Sequence, residues 1–449
     1  LFKNDMRNKA RELIKSEKCP ICCNTCETIP SIMAHPLYAL LNWIKSKEEK
    51  RLKCCIISPY PPDKCGIALY TFKLTNELTK LLKVTIVANE DNEVNAQVNL
   101  NNKVKVLRCW RRNTFSYPFK IFKAILWEKP NLIHIQHEFL AYGVRKYSVI
   151  FPILLFLINL LFKPIVITMH SVIPLKNLNK EFFLKHNVGE KLAFLKKLAV
   201  IFTVKLIDLF SKAIIVHNIL MKNCLVNEYS IRKNKVFVIP HGVEAPLIEN
   251  ICIKKDLKNN VILFFGFITP DKGVEVLIDA FSKITNILPK VKLLILGSYH
   301  PRLYKENPNY IGAIERKLKE TKLNDKVIFE DKFVNDNYLQ SYIQIADIIV
   351  FPYIDENVIG ASGALASCIN FGKPIIATNI PRFNTELKNG VNSILVNPND
   401  KEELYKALIK LLLDEELRIK LSLNIKNLGK ERSWFNIAIK TMEVYNKFL

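Results

Sequence analysis

Short, nearly continuous apolar runs alternate with amphipathic stretches along most of this chain. A run such as residues 345–351 lacks the polar alternation of a half-exposed strand, and it therefore predicts a strand buried on both faces. Helical patterns fill the intervals between runs, as at residues 67–82 and 273–287. Strands that alternate with helices predict parallel, doubly wound sheets of the α/β class. The predicted strands occupy residues 54–58, 84–88, 132–135, 165–168, 213–216, 236–239, 261–265, 291–296, 327–329, 348–351, 374–377 and 393–396.

A polar stretch at residues 249–260 divides these strands into two series. We expect two Rossmann-like, doubly wound domains facing each other across a cleft, at residues 51–245 and 246–430. Residues 1–50 are a cysteine-containing N-terminal extension, and residues 431–449 are a final helix that packs on one of the two domains. Ligands of open α/β sheets bind at the carboxyl ends of the strands, so loops of both domains should meet in the cleft.

Four of the 11 cysteines lie close together in the extension, at Cys19, Cys22, Cys23 and Cys26. They share one face of a helix at this spacing, but Pro20 favours a turn, and eight residues would have to wrap tightly to give a metal four ligands. A metal site and a poorly ordered or lipid-facing extension both stay open. Most other cysteines are single or adjacent and no signal-peptide pattern precedes them, so we expect a reducing, cytoplasmic compartment.

The charge balance is strongly basic, with 66 Lys and Arg against 42 Asp and Glu and a formal net charge of +24. Such a field attracts nucleic acid, anionic lipid or phosphorylated ligands. No zinc-finger spacing or aromatic RNA-binding strand accompanies it, so we expect no nucleic-acid partner. Residues 176–235 place many lysines among Leu, Phe and Ile. That pattern is typical either of a surface that binds the inner face of an anionic membrane or of solvated helix faces over a core.

Another apolar segment, residues 149–162, is shorter than the roughly 18 residues of a membrane-spanning helix. It predicts a core helix that leads into the strand at residues 165–168.

The segment after the predicted strand at residues 348–351 carries the most specific chemistry. Ser362 is a good helix N-cap, Gly363 lets a ligand approach the backbone, and the first amides of the helix, up to Ala364, would be free to bind an anion. Gly372 and the proline that follows soon after suit the end of this helix. The segment predicts a site for a phosphate-bearing ligand, although an ordinary β-α-β turn explains the same residues.

Several landmarks, taken in order, resemble the retaining nucleotide-sugar glycosyltransferases of the GT-B fold, family 4 type. The likeness extends over nearly all of residues 51–449 and is specific only in combination. It implies transfer of a sugar from a nucleoside diphosphate sugar to a hydroxyl of a glycan or lipid-linked acceptor, with retention and with no metal or other cofactor. The segments that carry it are Ile57-Ser58-Pro59, Gly66-Ile67-Ala68, His134-Ile135-Gln136-His137-Glu138, Thr168-Met169-His170-Ser171, Val238-Ile239-Pro240-His241-Gly242, Gly266-Phe267-Ile268, Lys272-Gly273 and Gly372-Lys373-Pro374.

The resemblance also implies roles for individual residues. Lys272 and the helix start at Ser362 would stabilise the leaving diphosphate. His137 would face the cleft and help to form the reaction centre. Each of the two residues has a plainer alternative: Lys272 would be a solvated surface lysine, and His137 would be a structural histidine. The predicted substrate-binding residues are Gly66, Glu138, His170, Asp355, Ser362, Gly363 and Ala364, whereas His134 and His241 are expected to be structural.

Three positions depart from the family pattern. Phe267 stands where the family often has arginine, and Ile359 and Ser367 stand where it has two glutamates. Asp355 and Glu356, a few residues upstream, are the acids that would replace the first glutamate, with Glu356 as the catalytic candidate, although both also suit a solvated loop. A second hypothesis therefore stays open, a catalytically silent sugar-nucleotide or polyanion-binding protein of the same fold. A nucleotide-sugar epimerase would need acidic residues that we do not find.

Overall fold

The structure is a computed structural model. The residues that it describes are 52–63, 65–90, 104–139, 141–143, 145–185, 191–246, 260–300, 303–332, 334, 336–354 and 358–449. Two sets of predicted residues lie outside this part of the chain: the cysteine-containing extension, and the carboxylates Asp355 and Glu356. Within the described ranges, no helix combines the length and apolar character that crossing a bilayer requires.

The first domain is built on a parallel sheet of seven strands, in the spatial order β3-β2-β1-β4-β5-β7-β8. A further short strand, β6, lies outside this sheet. The strands are β1 (Lys53–Ile57), β2 (Lys83–Asn89), β3 (Lys105–Trp110), β4 (Leu132–His137), β5 (Ile165–Met169), β6 (Ser171–Val172), β7 (Ala213–Val216) and β8 (Val236–Val238). The helices between them are α1 (Gly66–Leu78), α2 (Tyr117–Glu128), α3 (Phe151–Asn159), α4 (Lys180–Lys185), α5 (Ala193–Phe210) and α6 (Ile219–Asn227).

The second domain repeats the plan with a parallel sheet of six strands, in the order β11-β10-β9-β12-β14-β15. The predicted two-domain α/β fold is therefore confirmed. The strands are β9 (Val261–Phe265), β10 (Lys292–Leu296), β11 (Val327–Glu330), β12 (Ile348–Phe351), β13 (Ile359–Gly360), β14 (Ile375–Thr378) and β15 (Ile394–Val396). The helices are α7 (Val274–Ile284), α8 (Leu303–Glu306), α9 (Ala313–Glu320), α10 (Asp336–Ile345), α11 (Gly363–Cys368), α12 (Pro381–Asn384), α13 (Lys401–Leu413), α14 (Glu415–Gly429) and α15 (Trp434–Tyr445).

The continuous apolar runs become central strands because helices cover both faces of each sheet. All six residues of β4 are buried. One face of the first sheet packs on α2, α3 and α5, and the other packs on α1 and α15. The final helix α15 therefore returns to the first domain, where Ile437, Ala438, Val444 and Tyr445 join its core. This decides which of the two domains the final helix packs on.

Two features were not predicted. The strand β3 alternates buried and half-exposed residues, so it lacks the continuous apolar run of its neighbours. The two-residue strands β6 and β13 pair antiparallel across the cleft, with Ser171 opposite Gly360, and thereby link the two domains. The Asn218 side chain adds to this link by donating to the Gly360 carbonyl at 3.1 Å. Such a pairing depends on how the domains meet and has no local signal.

Candidate active site in the interdomain cleft

A pocket of about 600 Å³ lies between the domains at the carboxyl ends of both sheets. Its volume and position are those of a small-molecule site in an open α/β protein. The first-domain wall, with the final helix, comprises Pro61, Pro62, Asp63, Cys65, Gly66, Leu69, Tyr70, Lys73, His241, Gly242, Glu244 and Trp434. The second-domain wall comprises Phe265, Gly266, Phe267, Lys272, Leu296, Gly297, Ser298, Val334, Leu339, Tyr353, Ser362, Gly363, Ala364, Ser367 and Arg382.

Lys272 reaches the pocket from a tight turn between β9 and α7. Gly273 makes this turn possible, since its φ is +66° and a Cβ there would lie 1.9 Å from the Pro352 carbonyl oxygen. The Lys272 ammonium lies 3.6 Å from the centre of the Tyr353 ring and 3.7 Å from the Asp271 carboxylate. The aromatic ring and the carboxylate hold a mostly buried cation at the pocket wall.

The predicted helix start is also part of this wall. The Ser362 hydroxyl accepts from the Leu365 amide at 3.1 Å, as expected of an N-cap. Gly363 and Ala364 line the pocket with it. Because α11 has only six residues, its dipole is weak, and side-chain cations must supply most of the positive potential.

Besides the predicted Lys272, the pocket wall contains the cation Arg382, which was not predicted. It lies in α12, directly after the turn that follows β14, and its guanidinium donates to the Ala361 carbonyl at 2.8 Å. This bond places the guanidinium beside the residue that precedes the Ser362 cap. The local sequence Ile380-Pro381-Arg382 gives a helix start but no indication that its arginine faces the cleft.

His241 lines the pocket, although it was expected to be structural. Its Nδ1 lies 2.7 Å from the Gly242 carbonyl oxygen, which can only accept, so Nδ1 carries the proton and Nε2 of the neutral ring is an acceptor. A Cβ built on Gly363 would lie 3.8 Å from Nε2, so this acceptor faces the helix start across the cleft. Burial lowers the pKa of His241 to about 3, which keeps the ring neutral.

His170 does not line the pocket. Its Nε2 lies 2.8 Å from the Gln136 side-chain oxygen and its Nδ1 lies 3.1 Å from Nε2 of His217. Tyr70, which does line the pocket, stands edge-on to the His170 ring at 4.8 Å. Glu138, predicted as substrate-binding, accepts from the Ser171 hydroxyl at 2.6 Å and is also absent from the pocket wall. Through Tyr70, His170 supports the wall from behind.

The predicted orientation of His137 is wrong. Successive side chains of a strand alternate between faces, and His137 points to the face covered by α3, where its ring lies 4.5 Å from that of Phe151. The side chain is 2% exposed, and neither ring nitrogen has a hydrogen-bond partner among the described residues. Burial lowers the pKa of His137 to about 3, so it is neutral. His134, on the opposite face, is structural as expected and bonds to Tyr445 and Thr168.

Where the first domain ends, the pocket wall is held in place by residues that were not predicted from the sequence. The Glu244 carboxylate lies 2.5 Å from the Lys73 ammonium and accepts from the Trp434 indole at 2.9 Å. Gly242 is required here, because a Cβ would lie 2.5 Å from the Trp434 ring. These contacts join α1, the end of the first domain and α15 at the pocket.

Two family descriptions match the chain, one on each side of this pocket. "Glycosyltransferase Family 4" matches residues 65–245, and "Glycosyl transferases group 1" matches residues 252–428. The chain belongs to the GT-B glycosyltransferases. The first match contains Gly66 and His241, and the second contains Lys272, Ser362 and Arg382.

The sequence identity between this chain and individual relatives is low. An uncharacterized glycosyltransferase of Methanocaldococcus jannaschii is 28% identical over 217 residues, 48% of this chain and 54% of the relative. A phosphatidyl-myo-inositol mannosyltransferase of Mycolicibacterium smegmatis is 24% identical over 214 residues, 46% of this chain and 50% of the relative. The chain thus spans about half the length of the curated relatives it matches. The crystal structure of Anabaena HepE in complex with UDP-glucose has a TM-score of 0.66 at 16% identity, covering 88% of this chain and all of that one, and shows the shared fold.

Proposed function

We propose that this protein transfers a glycosyl group from a nucleoside diphosphate sugar to a hydroxyl of a glycan or lipid-linked acceptor, with retention and without a metal. The observation that carries the proposal is the placing of Lys272, Arg382 and the Ser362 helix start around one interdomain pocket. The UDP-glucose complex of the HepE fold neighbour supports a nucleotide-sugar donor. The named activity of the mycobacterial relative supports a lipid-linked acceptor.

The chemistry follows from charge. When the anomeric carbon–oxygen bond breaks, negative charge develops on the leaving diphosphate. Lys272 and Arg382 meet that charge with fixed cations, and the first amides of α11 add donors. These groups can stabilise the developing negative charge in place of a divalent ion, which is why we expect no metal. His241 Nε2, as a neutral acceptor, is placed to hold a sugar or acceptor hydroxyl.

A donor screen tests the proposal. The protein is incubated with UDP-, GDP- and ADP-sugars, with and without lipid-linked and glycan acceptors, and the released nucleotide is measured. We expect release with one donor class, lost in Lys272→Ala and kept in Lys319→Ala, a lysine of the same domain outside the pocket. Binding of a nucleotide sugar without release under any condition would instead establish the silent binder, which Phe267 and Ser367 in the pocket wall favour.

The carboxylate that should assist retention remains a proposal. Asp355 and Glu356 are the candidates, and the change that tests each is Asp355→Asn or Glu356→Gln, because these keep size and remove charge. With a working donor, we expect Glu356→Gln to lower turnover about tenfold or more, equivalent to roughly 1.4 kcal/mol of transition-state stabilisation. Wild-type turnover in both variants would remove the carboxylate from the mechanism.

A further inference from the structure

The outer surface of the first domain is unusually apolar along three helices. On α3 and the turn before it, Val149, Ile153, Phe156 and Leu160 are all exposed. They follow each other at intervals of four, three and four residues, so they form one continuous stripe on the helix. The opposite side of α3 is buried in the core through Leu154, Leu155 and Ile158. A helix that is apolar all round needs a second apolar neighbour on its outer face.

The helices on either side of α3 carry matching stripes. On α5, Leu195, Leu198, Phe202 and Leu209 are exposed along one line, with Lys205 between the last two. On α2 the exposed residues include Phe119, Leu126 and Trp127, of which Trp127 is 76% exposed. Phe162, just after α3, is 92% exposed. Large aromatic side chains are rarely this exposed on a surface that contacts only solvent.

These stripes form one surface, which we name the outer helical face: the exposed side chains of α2, α3 and α5 and the turns next to them. Helix α3 packs against both α2 and α5, and all three cover the same face of the first sheet. Each helix leads into the next parallel strand, so its N-terminal end lies at the carboxyl edge of the sheet, where the pocket opens.

The charges on the outer helical face are almost all positive. Within the three helices the only acids are Glu128 and Asp208. Glu128 is buried and pairs with Lys53 and Lys105, and Asp208 pairs with Arg232 and Lys235. Exposed lysines stand among and beside the apolar stripes, at Lys123, Lys129, Lys163, Lys191, Lys205 and Lys212.

We propose that the outer helical face binds the surface of an anionic lipid bilayer, with its aromatic and aliphatic side chains in the interface and its lysines on the lipid headgroups. Interfacial helices have this combination of apolar stripe and flanking lysines, and tryptophan favours the boundary between headgroups and acyl chains. Lysine side chains extend along an apolar surface while their ammonium groups reach the phosphates. This activity is independent of the proposed glycosyl transfer.

Charge distinguishes lipid from the other occupants. A second copy of this chain would bring the same basic face to a molecule of net charge +24. Residues 1–50 hold nine Lys and Arg against six Asp and Glu, a difference of +3, so they offer no complementary acid excess. An anionic bilayer satisfies both the apolar stripes and the cations.

The outer helical face differs from the surface predicted at residues 176–235. Helices α2 and α3 contribute most of its aromatic residues, and Lys197 donates to the Leu175 carbonyl.

The test uses the full chain and sedimentation with vesicles of phosphatidylcholine alone or of equal parts phosphatidylcholine and phosphatidylglycerol. We expect sedimentation with the anionic vesicles at low salt, a decline as salt rises because the charges are screened, and little with the neutral vesicles. Equal recovery with both kinds of vesicle, or recovery with neither, would overturn the proposal.

Matched variants locate the surface. Phe156→Ser with Phe202→Ser removes two side chains that are 54% and 59% exposed, and Leu413→Ser with Leu423→Ser removes two that are 64% and 61% exposed on the second domain. We expect the first pair to lower the vesicle partition coefficient at least about tenfold and the second pair to leave it unchanged. Lys205→Glu should lower it about fivefold or more, and Lys420→Glu should not.

Three further measurements keep the result interpretable. Circular dichroism and nucleotide release establish that each variant is folded. Sedimentation velocity without lipid reports self-association, and a dimer that disappears in Phe156→Ser with Phe202→Ser would assign the face to a second copy and overturn the proposal. If the Phe156→Ser with Phe202→Ser pair and the Leu413→Ser with Leu423→Ser pair behave alike on vesicles, the outer helical face is not the contact.

Discussion

At the scale of single residues, two cations of the pocket, Lys272 and Arg382, come from separate parts of the second domain. Lys272 is held by Tyr353 and Asp271, while Arg382 is held by the Ala361 carbonyl. Neither cation has to be ordered when a ligand arrives, because the protein already fixes it. Preorganised charge of this kind stabilises a transition state at little further entropic cost.

We therefore expect Lys272→Ala and Arg382→Gln each to lower turnover by about a hundredfold, since each removes one fixed group that meets the developing charge. The free energy of unfolding should change by less than about 1 kcal/mol, measured by urea denaturation. Arg382→Lys, which keeps the charge, is the control and should retain most of the activity. Wild-type turnover in Arg382→Gln would reduce this arginine to a support for the Ala361 carbonyl.

For His137, unlike the two cations, we expect that removing the side chain does not lower turnover. Its ring nitrogens are buried and have no hydrogen-bond partner within the described part of the chain, and leaving polar atoms in this state costs free energy. His137→Leu should keep nucleotide release near the wild-type rate and leave the free energy of unfolding equal or up to about 2 kcal/mol higher. Steady-state kinetics and urea denaturation measure the two. A strong loss of transfer with intact nucleotide binding would return His137 to the catalytic set.

At the scale of elements, the turn between β9 and α7 sets the position of Lys272. Gly273 ends a 3-10 turn with a left-handed backbone, and the Pro352 carbonyl at the end of β12 leaves no room for a side chain. The turn, the strand β12 and the lysine thus depend on a single glycine. The link between β6 and β13 acts similarly on the other side of the pocket, where it fixes the residues that precede Ser362.

Gly273→Ala should lower the free energy of unfolding by about 2 kcal/mol or more, because left-handed strain and the clash with Pro352 add together. Gly390→Ala separates the two causes: its φ is +71°, but a Cβ there meets open space. That control should lose only about 1 kcal/mol. Equal losses in the two variants, measured by urea denaturation, would show that the backbone near Pro352 moves freely and that the turn does not fix Lys272.

At the scale of the whole molecule, the first domain buries histidines that must stay neutral. Burial lowers the pKa of His134 and His137 to about 3 and that of His217 to about 4. The ordinary value near 6.5 applies in the unfolded chain, so unfolding in mild acid takes up protons. The stability that these groups contribute is fully present above pH 6.5 and is lost as the pH falls toward about 4 for His217 and about 3 for His134 and His137.

We expect the free energy of unfolding to decline below pH 6.5, by about 2 kcal/mol at pH 5 for each fully buried histidine. Urea denaturation at pH 8, 6.5 and 5 measures this dependence. His217→Gln should make the decline shallower, whatever its effect at pH 8, because one proton-binding group is gone. A stability that is constant from pH 8 to pH 5 would mean that these histidines stay neutral on unfolding or are already protonated in the folded protein.

The sequence by itself determined the two α/β domains and part of the site, because those signals are local. Continuous apolar runs such as residues 348–351 specify strands buried on both faces, and Ser362 and Gly273 specify a cap and a tight turn through their own backbone preferences. The tertiary structure decided the rest. It placed Arg382 and His241 in the pocket, turned His137 away from it, returned α15 to the first domain and left the stripes of α2, α3 and α5 side by side on the surface. Each of these outcomes depends on which residues distant in the chain become neighbours. Local pattern does not encode that, because one set of apolar and polar positions fits several arrangements of packed elements until the whole core selects one.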